Sequence, residues 1–143
     1  MNYLSKKKIF HYPSAIIFDV ISDIESYQDH LPWCSKSKML STNNQNIIGI
    51  IEISFGPFSY EFSTINTNIR PSSIEMNYRS GPFKSFKAYW LLNPKSDTET
   101  EVCFEVEFSF SNPILNIPFK LFFEQVCLGM IDAFEKRLND LSK

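Results

Sequence analysis

Residues 101–110, "EVCFEVEFSF", alternate without a slip. Val102, Phe104, Val106, Phe108 and Phe110 fall on one side, and Glu101, Cys103, Glu105, Glu107 and Ser109 on the other. Strict period-two alternation describes a strand with one dry face and one wet face, as in an antiparallel sheet exposed on one side. Other stretches repeat the pattern. Phe58, Tyr60 and Phe62 alternate with Ser59, Glu61 and Ser63. Ile74, Met76 and Tyr78 alternate with Glu75 and Asn77, and Phe86, Ala88, Trp90 and Leu92 with Lys87 and Tyr89. Residues 46–55, "NIIGIIEISF", are rich in β-branched side chains, with "NNQN" before and "GP" after as turn material. Residues 2–11 read as a first strand. The connections ("FGPF", "RPSS", "SGPF") are short, which suits a meander of hairpins.

The ends of the chain follow a different period. Ala15, Ile16, Phe18, Val20 and Ile21 give residues 12–24 a helical stripe, and residues 25–30 continue as a second short helix. Leu31 precedes Pro32 and is pushed out of helical geometry, so that helix ends there. From Phe119 onward the apolar residues fall at Phe122, Phe123, Val126, Met130, Ala133, Phe134, Leu138 and Leu141. Those spacings predict one helix over 118–141, about 36 Å long, with Asn116 as its cap. The fold class is α+β: a first strand, two short helices, about six more antiparallel strands, and a long helix whose stripe covers the dry face of the sheet.

The 143 residues fit a single domain, taken here as 1–143. Fourteen phenylalanines demand a large aromatic interior. Two interiors satisfy this pattern, a filled core or an apolar cavity between sheet and helix. Met130 and Gly129 lean towards the cavity, since Met adapts to irregular space and a mid-helix Gly costs ~1 kcal/mol against Ala.

Catalytic signatures are sparse. The chain has no G-x-S-x-G and no H-E-x-x-H, and its four glycines make no phosphate loop. Glu101, Glu105 and Glu107 belong to the wet face, and Asp19, Asp23 and Glu25 are exposed helix charges. Cys34, Cys103 and Cys127 are widely spaced, and His11 and His30 are the only histidines, so neither a disulfide framework nor a metal site is expected. The segment "DHLPWC" therefore does not read as redox chemistry. Pro32 ends the short helix, and Cys34 opens the next strand. Lys6, Lys7 and Lys8 read as a solvated strand end. A net charge of −2 disfavours a dedicated nucleic-acid binder. "MNYLSKKKIF" lacks the apolar segment of a secretory signal, and no apolar run approaches the ~20 residues that cross a bilayer. The expected location is the cytoplasm, peripheral at the inner face of the cell membrane.

Four stretches, "DIESYQDHLPWC", "GPFKSFKAYWLLNP", "CFEVEFSFSNPIL" and "FFEQVCLGMIDAFEKR", together resemble the coenzyme Q-binding proteins of the START-like, polyketide-cyclase-type superfamily. That group also contains bacterial ribosome-association toxins. The resemblance implies a helix-grip fold, a seven-stranded antiparallel sheet wrapping a long C-terminal helix around a hydrophobic tunnel. It implies ubiquinone or a similar isoprenoid lipid as bound ligand, with no catalytic residue, metal or further cofactor, and a role in respiration. The cavity residues expected on this basis are Tyr27, Leu31, Trp33, Phe83, Phe86, Trp90, Phe104, Phe108, Phe122, Phe123, Val126 and Met130. The open end is expected at 81–86 and the Pro-Trp-Cys lip, with Lys84 and Lys87 meeting anionic headgroups during transient membrane contact. His30 stands where the family usually has phenylalanine. Two alternatives accompany this reading. One is a ribosome-binding inhibitor of subunit association, which needs a basic face. The other is a cyclase-like enzyme, for which His30 is the candidate acid or base.

Overall fold

The computed structural model describes residues 2–41, 46–111 and 117–143. Seven strands run in the order β1 (Asn2–Phe10), β7 (Thr100–Phe110), β6 (Phe83–Pro94), β5 (Ser73–Ser80), β4 (Phe58–Ile69), β3 (Asn46–Phe55) and β2 (Cys34–Ser41). Every neighbouring pair is antiparallel. Between β1 and β2 come α1 (Ser14–Ser22), a 3₁₀ turn at Ile24–Ser26 and α2 (Tyr27–His30). The chain ends in α3 (Ile117–Leu128) and α4 (Met130–Leu141). The expected cap Asn116 and most of the "NNQN" turn lie outside the described residues.

The alternation of β7 survives intact: Val102, Phe104, Val106, Phe108 and Phe110 are buried, while Glu105 and Glu107 are exposed. The dry face of the sheet meets the C-terminal helices through phenylalanine. The ring of Phe123 lies 5.0 Å from Phe108, 5.1 Å from Phe83 and 6.0 Å from Phe119, with Phe110 and Phe86 at 6.3 Å. Such ring pairs add about 0.5–1.5 kcal/mol each beyond the area they bury.

Three expectations need correction or extension. The C-terminal helix is two helices, parted at Gly129, whose φ of −92° and ψ of −1° stretch the right-handed helical geometry while its N–H still donates to the Gln125 carbonyl at 3.0 Å. Lys6 and Lys8 are exposed, as expected of a solvated strand end, and they also reach the helices. They lie on the helix-facing side of β1, opposite Phe104 and Val102. Lys6 Nζ donates to the Leu128 carbonyl at 2.9 Å, beside the interruption, and Lys8 Nζ meets Glu135 at 2.6 Å and Asp132 at 3.5 Å. Strand β4 also runs six residues past the apolar alternation, to Ile69. Its inner positions there, Thr64, Asn66 and Asn68, are polar. Thr64 and Asn66 are nonetheless buried, and Thr64 Oγ1 donates to Asn66 Oδ1 at 2.6 Å.

Two glycines carry opposite expectations. Gly81, in the β5–β6 turn, has φ of +144°, and a Cβ there would lie 3.1 Å from Phe62 Cα and 3.2 Å from the Glu61 carbonyl. Gly81→Ala should cost about 1–3 kcal/mol. At Gly129 a Cβ would make ordinary contact, 3.4 Å from the Gln125 carbonyl. Gly129→Ala should stabilise by about 0.5–1 kcal/mol. Urea denaturation of both variants checks this, and a destabilised Gly129→Ala would mean that the interruption is needed by the fold.

Candidate functional site

The lip that precedes β2 is fixed by short polar links. The Tyr27 hydroxyl donates to the Ile21 carbonyl. Ser37 Oγ accepts from the Gln28 N–H and donates to the Glu25 carbonyl, both at 3.1 Å. The Ser54 N–H donates to the Trp33 carbonyl at 2.9 Å, which stitches the lip to β3. Pro32 ends α2, and the Cys34 N–H closes the turn onto the Leu31 carbonyl at 2.9 Å. This geometry carries Trp33 over the space between sheet and helices.

That space is a cavity of about 50 Å³. Tyr27 and Trp33 from the lip border it, as do Phe86, Trp90 and Phe104 from the sheet and Phe123, Val126 and Met130 from the helices. All eight are among the residues the sequence singles out. Both tryptophans of the chain are therefore cavity residues. The other four expected residues lie elsewhere. Phe83 and Phe108 face inward, but they sit in the filled ring cluster around Phe123. Leu31 is buried beneath the lip, and Phe122 is half-buried against Phe55 at 4.8 Å. Nor is 81–86 an opening, because Phe83 and Phe86 are buried and belong to β6. Lys87 points to the wet face and pairs with Glu75 at 3.5 Å.

The remaining lining comes from Ile51 and Ile53 of β3, Phe62, Met76, Ala88 and Val106 of the inner sheet face, and Cys127 and Phe134 of the helices. Parity alone points to Met76, Ala88 and Val106. Strand β3 gives no such signal, because Ile48 and Ile50 stand on its outer side while Ile51 and Ile53 stand inside.

Among the described residues the ionisable groups of the lining are Tyr27 and Cys127. Burial, helped by Glu124, pushes the Cys127 thiol up to about 12, so it stays protonated and unreactive at neutral pH. Burial also raises the Tyr27 phenol. The Cys34 thiol, held up to about 11 mainly by burial, donates to the Lys36 carbonyl at 3.2 Å. The "PWC" segment is thus a structural lip.

His30 sits behind the cavity wall. Its ring packs edge-on against Tyr27 at 6.1 Å and Phe134 at 5.7 Å, and its Nδ1 is buried without a hydrogen-bond partner. Burial, then the nearby Arg137 charge, lower its basicity against the opposing pull of Asp29 and Asp23.

A curved antiparallel sheet closed over C-terminal helices around an apolar space is the helix-grip arrangement of START-like proteins. The chain belongs to the polyketide cyclase / dehydrase and lipid transport family, whose sequence profile matches residues 10–135. Its relatives include the ribosome association toxin RatA of Pseudomonas aeruginosa, 27% identical over 97% of this chain and 96% of that one. RatA of Rickettsia prowazekii is 33% identical over 95% of both. The mitochondrial coenzyme Q-binding protein COQ10 homolog B of Xenopus laevis is 24% identical over 93% of this chain but 56% of its own length. The Zhui aromatase/cyclase from Streptomyces shares the fold, with a TM-score of 0.86 over 99% of this chain and 96% of that one, at 10% identity. Among the described residues, no helix is long and apolar enough to cross a membrane.

His30 supplies a pH test. As pH falls below the ordinary imidazole value of 6.5, the unfolded chain takes up its proton before the folded one. Stability is therefore lost progressively from near pH 7 until the folded state's own lower value is passed. His30→Phe removes that loss and also the orphaned nitrogen, worth about 1–3 kcal/mol. Thermal melts at pH 7 and pH 5 should show a higher midpoint at neutral pH and a smaller acid shift for the variant. An unchanged acid shift would show that His30 is not the group responsible.

Proposed function

We propose that this protein binds ubiquinone or a similar isoprenoid lipid in the cavity and carries it, in support of respiration, without altering it chemically. The observation that carries this reading is the lining, which is apolar and aromatic, with its two ionisable groups held protonated by burial. An acid–base or nucleophilic mechanism needs a group that gains or loses a proton near neutral pH within reach of the substrate. His30, the one histidine near this wall, lies behind Tyr27 and Phe134. A polyprenyl tail needs no such group, because each buried CH₂ contributes ~0.8 kcal/mol. The name of the coenzyme Q-binding relative supports quinone as the headgroup.

Ligand sites commonly enclose about 300–1,000 Å³, so a lipid must widen the present cavity of about 50 Å³. Two residues of the lining suit that purpose. Met130 is half-buried and has an unbranched, adaptable side chain, and Trp33 is a half-buried lip residue.

A second reading, association with the ribosome, is favoured by the names of relatives that align along nearly the whole chain. One experiment separates the two. The protein is purified from a quinone-producing host, extracted with organic solvent and analysed by mass spectrometry. Co-purified ubiquinone is expected. Ala88→Leu, which fills the cavity at an overpacking cost of about 1–3 kcal/mol, should lose it while remaining folded. Empty wild-type protein that sediments with ribosomal subunits would overturn the carrier reading.

A further inference from the structure

One end of the sheet exposes more apolar surface than a strand turn needs. Ser63 pairs with Ser80, so the β3–β4 hairpin projects beyond the β5–β6 turn. Its tip is made by Gly56, at φ of +56° and with nothing within 4 Å of its Cβ position, and by Pro57. Phe58, at the tip, is 55% exposed. Beside it, α3 turns Ile117 and Leu121 outward, 53% and 60% exposed. The two elements touch through the Phe55–Phe122 pair at 4.8 Å and the Tyr60–Phe119 pair at 4.5 Å. The same end holds a groove of about 770 Å³ bordered by Lys84, Lys120, Ser85, Ser109 and Ser111, with no carboxylate among the described residues of its lining. Lys120 Nζ reaches Glu124 only loosely, at 3.9 Å.

We propose that this end docks on an anionic phospholipid surface, with Phe58, Ile117 and Leu121 entering the interface and Lys84 and Lys120 meeting phosphate headgroups. Apolar side chains at the apex flanked by cations match the layering of a bilayer surface, where each lysine near anionic lipid contributes ~1 kcal/mol. Two lysines are few for RNA, whose affinity comes chiefly from many phosphate contacts. Position supports the choice as well. Phe55 follows Ser54, which is bonded to the lip at Trp33, and Phe122 precedes the cavity residue Phe123. The docking end and the cavity wall are thus one continuous piece. The surface stands on its own exposed groups, and it rests on the carrier reading only for its purpose of loading.

The test is flotation of the purified full chain with vesicles of phosphatidylcholine alone or with roughly one-third phosphatidylglycerol. Wild type should float with the anionic vesicles and be weakened by high salt. Phe58→Ser and Leu121→Ser, singly and together, should reduce binding. Lys84→Glu with Lys120→Glu should reduce it at least tenfold on anionic vesicles. All these side chains have substantial exposure, so melting midpoints should hold, and the single variants serve if a double variant does not fold. Wild type that ignores anionic vesicles would overturn the proposal, as would variants that float like wild type. So would the same substitutions abolishing ribosome sedimentation in a protein that never floats. Ubiquinone retention measured in parallel keeps the two readings apart. Retention without flotation sinks the docking surface alone, and flotation without retention sinks the carrier alone.

Discussion

The contact of Phe123 with the sheet fixes the rest of the structure. Its ring lies within 5.1 Å of Phe83 and Phe108, and through Phe119 it leads on to Phe110 and Tyr60. This cluster fills the end of the grip where α3 begins and holds the helix against the strands. Towards α4 the side chains change to Val126, Met130 and Phe134, facing Trp33 and Trp90, and a void remains. The filled core and the cavity are therefore not rivals. They occupy successive lengths of one interface, and Phe123 borders both. A helix clamped at one end can leave space at the other without losing its position.

Much of this was legible in the sequence, and the misses have physical causes. Alternation worked for β5, β6 and β7 because water covers one side of them, so polar and apolar residues sort by parity. It gave Phe83 and Phe108 the right face but not their depth along the grip, which depends on where α3 starts. It could not sort Ile51 from Ile50, because β3 is aliphatic on both sides. It lost the end of β4, where Thr64 and Asn66 are buried polar groups and the Thr64 hydroxyl donates to Asn66 Oδ1. The break at Gly129 left the apolar spacing of the helix undisturbed, so period alone joined α3 to α4. The lysines of β1 looked like surface decoration because their partners, the Leu128 carbonyl and Glu135, lie more than a hundred residues away.

The same fold serves an aromatase/cyclase, and the chain's relatives carry names that point to quinone and to the ribosome. The fold alone therefore decides nothing about activity. The cavity is walled by rings, aliphatic groups and a protonated thiol, which present shape and dispersion. Of the charged and titratable groups nearby, His30 lies behind the wall, and Glu75, Glu105 and Lys87 lie on the outer face of the sheet.

A seven-stranded sheet that does not close has two edge strands, and an edge invites another strand to add to it. On β1 the positions facing the helices carry Lys6 and Lys8, whose charges are already tied to α3 and α4. A second strand laid along this margin would have to bring its own side chains against those ammonium groups. On β2 the register slips between Cys34 and Lys36, and Lys36 and Lys38 follow. The lysines that latch the edge strand to the helices thus also discourage these molecules from polymerising edge to edge. On β2 the 3₁₀ turn adds to that protection, since Glu25 takes up the Met39 N–H at 3.4 Å.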